Sequence, residues 1–253
     1  KMAFYSMIVA FLLIFSACGG GASAPAGTET NQSAGGSGSA GGNAAGESGA
    51  PQVSAVTIKA MSAWEETNTL SKALFILEEK LTEKSNGNIK IEYIGGPESI
   101  PTFEQAEALR NGLTDMLLTT GAYYVNQVPE IMALDFSTIT PEEERANGAI
   151  EYMNQILAQK LNAVFLGRTP GREYAFYTVK PVKTMADFKN LKIRGNGVYT
   201  PAVQAMGAQL LTIPPADVYT SLERGLVDGI AWPNVGITDS SWEEQLKYKI
   251  LPY

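Results

Sequence analysis

The 253-residue sequence carries 45% hydrophobic residues and a formal net charge of −7, enough chain for one large or two modest domains with a sizeable core. It has no Lys/Arg cluster of the kind phosphate binding requires, which excludes nucleic acid as an expected partner. Histidine is absent, which removes the commonest general base, nucleophile activator and metal ligand together. The single cysteine, Cys18, permits neither an internal disulfide nor a Cys-based zinc site, and no cofactor or metal is expected.

From Ala3 to Phe15 the run AFYSMIVAFLLIF is too short for a comfortable membrane span but fits the apolar region of a secretory signal. Ser16, Ala17 and Cys18 follow, and small residues before a cysteine resemble the bacterial lipobox, whose cysteine is acylated and becomes the new N-terminus. Phe15 departs from the usual Leu, and an ordinary secretory signal is the alternative. Residues 1–17 are therefore expected to be a lipoprotein signal peptide, with Cys18 the lipidated residue. Residues 18–52, rich in Gly, Ala and Ser, form a tether that cannot bury enough apolar surface to order itself.

In the folded part, Val56, Ile58 and Ala60 alternate as a strand, Leu70 to Leu81 follow helical spacing, and Ile89, Ile91 and Tyr93 alternate again. This strand–helix–strand rhythm builds a parallel sheet. A helix over about 103–110 closed by Gly112 and a buried run over 115–119 continue it. Thr140, Pro141 and Glu143 spell a capping box with proline at the first helical position, opening a helix to about Leu161 before a strand over 163–166. Past Thr169, Pro170 and Gly171 come strands over 174–179, 191–194, 209–213 and 229–232, with short helices over 184–190, 198–206 and 215–224. The expected architecture is α/β with two lobes, 53–170 and 171–253, of the class II-like periplasmic binding protein type, with ligand in the cleft between lobes.

The stretches KNLKIRGNG (189–197) and MGAQLLTIPPADVYTSLERGLVDGIAWP (206–233) resemble the solute-binding proteins of tripartite ATP-independent periplasmic (TRAP) transporters, the DctP-type family. Ile193-Arg194, Gly207-Ala208, Tyr219/Leu222/Gly225 and Val227-Asp228-Gly229 fill the family's pattern, and EALRNGLTDMLLTTGAYY (107–124) is similar to its first-lobe element. The resemblance implies an extracytoplasmic, non-enzymatic protein that captures a small organic carboxylate and hands it to membrane permease subunits; the lipid anchor is expected from the signal segment and Cys18. It also implies that Arg194, at a strand's C-terminal end, holds the carboxylate. A planar guanidinium fork at that place in an open α/β fold suits such a ligand independently of the family.

Arg172 matches a second family arginine, with an ion pair to Glu173 as the alternative. Trp64, Tyr123, Tyr124 and Trp232 stand in or beside loops after strands, where they line a pocket or pack in the core. Asn196 adds an amide to the carboxylate or shapes its turn, and Asn234 joins Trp232 where Ile-Ala-Trp-Pro-Asn replaces the family's polar residues. Asp115, Asp135, Asp217 and Asp228 read as helix- or strand-end residues. The competing functions are a binding protein of an ATP-driven importer, a ligand-presenting sensor component and a secreted hydrolase limited to Asp/Glu chemistry. Family members continue beyond Tyr253, so the chain is expected to be incomplete at its C-terminus, with apolar first-lobe surface exposed.

Overall fold

In a computed structural model of the protein, residues 55–169 and 173–251 are described. The signal segment, Cys18, the tether, Arg172 and the crossing at 170–171 lie outside them. The alternation in Val56–Ser62 makes β1, and the spaced leucines of Lys72–Lys84 make α1, which returns the chain to β2, Ile89–Gly95. A short helix α2, Gln105–Arg110, leads to β3, Met116–Leu118. All three strands pair in parallel in the order β2-β1-β3, the outcome expected when helices make the crossovers.

The next segment departs from the expected pattern. After the short helix α3, Met132–Asp135, the capping box forms as expected: Glu143 N–H donates to Thr140 Oγ1 at 3.2 Å, and Thr140 N–H to Glu143 at 2.8 Å. The helix it opens does not run to Leu161. Gly148, at φ 86°, divides it into α4, Pro141–Ala146, and α5, Ala149–Leu161. The strand expected over 163–166 is absent. Phe165 N–H donates to the Asn154 side chain at 2.6 Å, so this backbone follows α5 instead of joining a sheet.

The second lobe is a five-stranded sheet in the order β6-β5-β7-β4-β8. Its strands are β4, Tyr174–Thr178; β5, Lys192–Gly195; β6, Gln209–Thr212; β7, Gly229–Pro233; and β8, Tyr248–Ile250. Two short helices, α6, Thr200–Ala205, and α7, Val218–Glu223, connect them. β5 pairs in parallel with β6 and β7, whereas β4 runs antiparallel to β7 and β8, so this lobe is mixed. The close approach of β7 to β4 depends on Gly229, where a Cβ would collide with the Tyr177 carbonyl oxygen.

One buried cluster joins the lobes. Trp64, Leu70 and Tyr123 of the first pack with Val218, Leu222, Ile230, Trp232 and Trp242 of the second. Asp239 also accepts the Thr69 N–H at 2.6 Å across the two lobes. No helix among the described residues is long and apolar enough to cross a membrane.

Candidate ligand cleft

Side chains alternate along β5, so Ile193 and Arg194 face opposite sides of the sheet. Ile193 enters the cluster with Phe188, Val203 and Ala231. Arg194 therefore turns toward the other lobe, and its register partner Ile230 places Trp232, two residues on, on the same face. The guanidinium sits 5.1 Å from the Trp232 ring centre, and Trp232 is itself held edge-on to Trp242 at 4.8 Å and by Nε1 donating to Val235 O at 3.1 Å. A desolvated cation over an indole is worth about 2 kcal/mol.

Arg194 is 1% exposed, and only part of its hydrogen-bonding capacity is used inside the protein. Nε donates to Ile213 O at 2.8 Å, while Nη2 is buried with no acceptor. Trp64, delivered by the loop after β1, also buries its Nε1 without an acceptor. Both approach Tyr123, which lies on the 3-10 turn after β3 and whose ring stands 6.1 Å from that of Trp64. Burial pushes the Tyr123 phenol up, and Arg194 and Trp64 partly offset this. Both side chains lie within weak hydrogen-bonding reach of the Tyr123 oxygen, but Arg194 Nη2 and Trp64 Nε1 find no acceptor in good hydrogen-bond geometry. Donors buried without acceptors are costly, and a bound anion would satisfy them.

Trp64 and Tyr123 border a cavity of about 320 Å³ between the lobes, with Arg194 buried behind its Trp232 side. Trp64, Tyr123, Tyr124, Asn196 and Trp232 line it, so five of the residues singled out from the sequence converge there. Tyr124 packs with Val128 and Ile131, and burial followed by the nearby Asp135 charge raises its phenol pKa. Asn196 uses its oxygen to accept the Val198 N–H at 3.2 Å, so it does shape its turn while lining the cleft. Asn234 stands apart: it is exposed, and its amide donates to Glu173 at 3.2 Å. Glu173, expected as the alternative partner of Arg172, thus contacts Asn234.

Among the lining residues that sequence reasoning missed are Arg168, Tyr199 and Asp135. Arg168 donates through Nη1 to Leu134 O at 2.9 Å and through Nη2 to Glu144 at 2.7 Å. Its place after the misassigned strand hid it, although an arginine at a supposed strand end before Thr-Pro-Gly was a usable signal. Tyr199 comes from an element read as plain helix, and Asp135 was read only as a helix- or strand-end residue. Among the described residues no group of three or more metal-ligating side chains exists. A second cavity of about 280 Å³ lies beside Trp64, Pro215 and Trp242.

A family profile described as bacterial extracellular solute-binding protein, family 7, matches residues 60–252. The chain belongs to this DctP-type family. It is 25% identical over 184 residues to a monocarboxylate 2-oxoacid-binding periplasmic protein of Nostoc sp., covering 67% of this chain and 50% of that one. The uncharacterised protein YiiZ of Salmonella typhimurium is 24% identical over 200 residues, covering 76% of this chain and 61% of YiiZ. The chain thus spans only part of the curated relatives' length. A TRAP periplasmic solute-binding protein of Pseudoalteromonas atlantica, solved with sodium and pyruvate, has a TM-score of 0.64 at 20% identity, covering 79% of this chain and 63% of that one. One from Desulfovibrio salexigens with orotic acid gives 0.66 at 18% identity, covering 76% and 64%. These likenesses establish the two-lobe α/β fold.

Proposed function

We propose that the protein captures a small organic carboxylate in the cleft between its lobes and delivers it to the membrane permease subunits of a TRAP transporter. The observation that carries this reading is the pair of buried, acceptor-less donors, Arg194 Nη2 and Trp64 Nε1, beside the Tyr123 hydroxyl. A carboxylate offers acceptors to both nitrogens and compensates the buried guanidinium, which a neutral solute does not. The Nostoc relative named for monocarboxylate 2-oxoacids, and solved neighbours holding pyruvate or galacturonate, support the ligand class.

Thermal unfolding with matched carboxylates and their neutral amides tests it. A ligand at a hundred times its Kd stabilises by about 2.7 kcal/mol, so carboxylates should raise Tm and amides should not. Equal shifts from both would end the carboxylate reading.

The protein is proposed to work outside the cytoplasmic membrane, anchored through lipid on Cys18. Support comes from the apolar run, the small residues before Cys18 and the lone cysteine. Cys18→Ser should release it from membranes, and unchanged retention would count against the anchor. Arg172 is retained as a proposed second contact to the ligand.

A further inference from the structure

We infer that Asp135 selects among carboxylates, admitting those with a hydrogen-bond donor at the end remote from the carboxylate and rejecting dianions. This rests on the carboxylate reading of the cleft.

Asp135 ends α3 and lines the cavity, brought there partly by what residue 121 lacks. A Cβ on Gly121 would meet Ile131 at 2.9 Å and Asp135 Oδ2 at 3.4 Å, so the bare glycine leaves room for α3 and its acid against the wall. The Asp135 side chain accepts no hydrogen bond and forms no salt bridge among the described residues. The nearest cation, Arg168, is committed elsewhere: one terminal nitrogen is on Leu134 O and the other on the 1%-exposed Glu144. Glu144 thus offsets much of the Arg168 charge, and Asp135, opposed by what remains of it, lines the cleft with its carboxylate oxygens free of hydrogen bonds.

Asp135 and Tyr199 line the cavity, and Arg194 lies buried just behind its Trp232 and Tyr123 side. The Tyr199 phenol is within electrostatic reach of Arg194 and Asp135: burial and Tyr174 raise its pKa, Arg194 lowers it, and Tyr123 and Asp135 raise it again. Asp135, although open to solvent, has its own carboxyl raised by surrounding protein, with Arg168 opposing. A ligand anchored by its carboxylate at Arg194 would thus present its far end to an anion. A hydroxyl or ammonium gains a charge-assisted hydrogen bond there, whereas a second carboxylate meets like charge.

Five-carbon acids differing only at the far end test this by calorimetry: pentanoate, 5-hydroxypentanoate, 5-aminopentanoate and glutarate. The parent should bind the hydroxy and amino acids at least about tenfold tighter than glutarate. Asp135→Asn should close that gap to about threefold, with glutarate gaining, 5-aminopentanoate losing and pentanoate unchanged. Asp135→Leu should abolish the preference for donors over pentanoate. A gap that persists in Asp135→Asn, or a parent that binds glutarate as tightly as 5-hydroxypentanoate, overturns the inference while leaving the carboxylate site intact. Failure of the parent to bind any of the four would sink the cleft reading and this inference together.

Discussion

The Arg194 guanidinium lies 5.1 Å from the centre of the Trp232 ring, with Trp232 braced from beyond by Trp242 at 4.8 Å. Parallel pairing of β5 with β7 puts both residues on one sheet face, so the same register that builds the lobe sets the cation against the cleft-lining Trp232. The tryptophan keeps the guanidinium desolvated and flat while leaving terminal nitrogens for a ligand.

Changing Trp232 should therefore alter binding as well as packing. Trp232→Leu is expected to lower stability by about 3 kcal/mol, as large core truncations do. It should also weaken carboxylate binding by more than about tenfold, since about 2 kcal/mol of cation–π contact is lost. Trp232→Phe keeps a ring beneath the guanidinium and should lose less on both counts. Denaturant titration and calorimetry read the two effects, and a Leu variant binding like the parent would contradict this role.

Glu144 and Arg168 form a pair at 2.7 Å in which the acid side chain is 1% exposed and the arginine side chain 26%. Breaking such a pair from one side leaves a partly buried charge alone. Glu144→Ala should cost about 3 kcal/mol, the low end for a buried pair because Arg168 keeps the carbonyls of Leu134 and Ile139. Glu144→Gln retains an acceptor and should cost less. Urea unfolding decides, and an Ala variant as stable as the parent would show the pair to be dispensable.

Among the described residues, six tyrosines hold their protons beyond the ordinary range, five through burial and Tyr219 through its hydrogen bond to Glu244. Tyr93 is pushed up to about 12 by burial and then by Glu98. The folded state then binds more protons than the unfolded chain above the unfolded tyrosine value of about 10, so stability should fall as pH rises past it. Below that value these groups contribute no pH dependence. Tyrosinate absorbance should lag behind that of the denatured chain and rise with unfolding. Ionisation of all the tyrosines near pH 10, about the free value, in a still-folded protein would contradict this.

Much of the architecture was legible because local chemistry and tertiary packing agree: the alternation of Val56 to Ala60, the Thr140/Glu143 capping box and the Ile193-Arg194 strand all stand where expected. The failures share a cause in long-range pairing. Apolar residues at 163–166 looked like a strand, but Asn154 satisfies the Phe165 N–H and no ladder forms. Gly148 was visible in the sequence, yet a capping signal says where a helix opens and not whether it survives a left-handed residue. Antiparallel β4 carries no local mark of its direction. Within the cleft, aromatic residues after strands were findable, whereas Asp135 and Tyr199 depend on which face of a short helix or turn meets the other lobe.

Arg194 remains the group on which the account turns. Calorimetry of the parent, Arg194→Ala and Arg194→Lys, with whichever five-carbon acid the parent binds most tightly, tests it most directly. Truncating one member of a buried charge pair costs about 2 to 5 kcal/mol, so Arg194→Ala should bind about thirtyfold to several thousandfold more weakly. Arg194→Lys should recover only part of this, because an ammonium cannot supply two parallel bonds. A folded Arg194→Ala protein that binds the acid as tightly as the parent would contradict the carboxylate clamp.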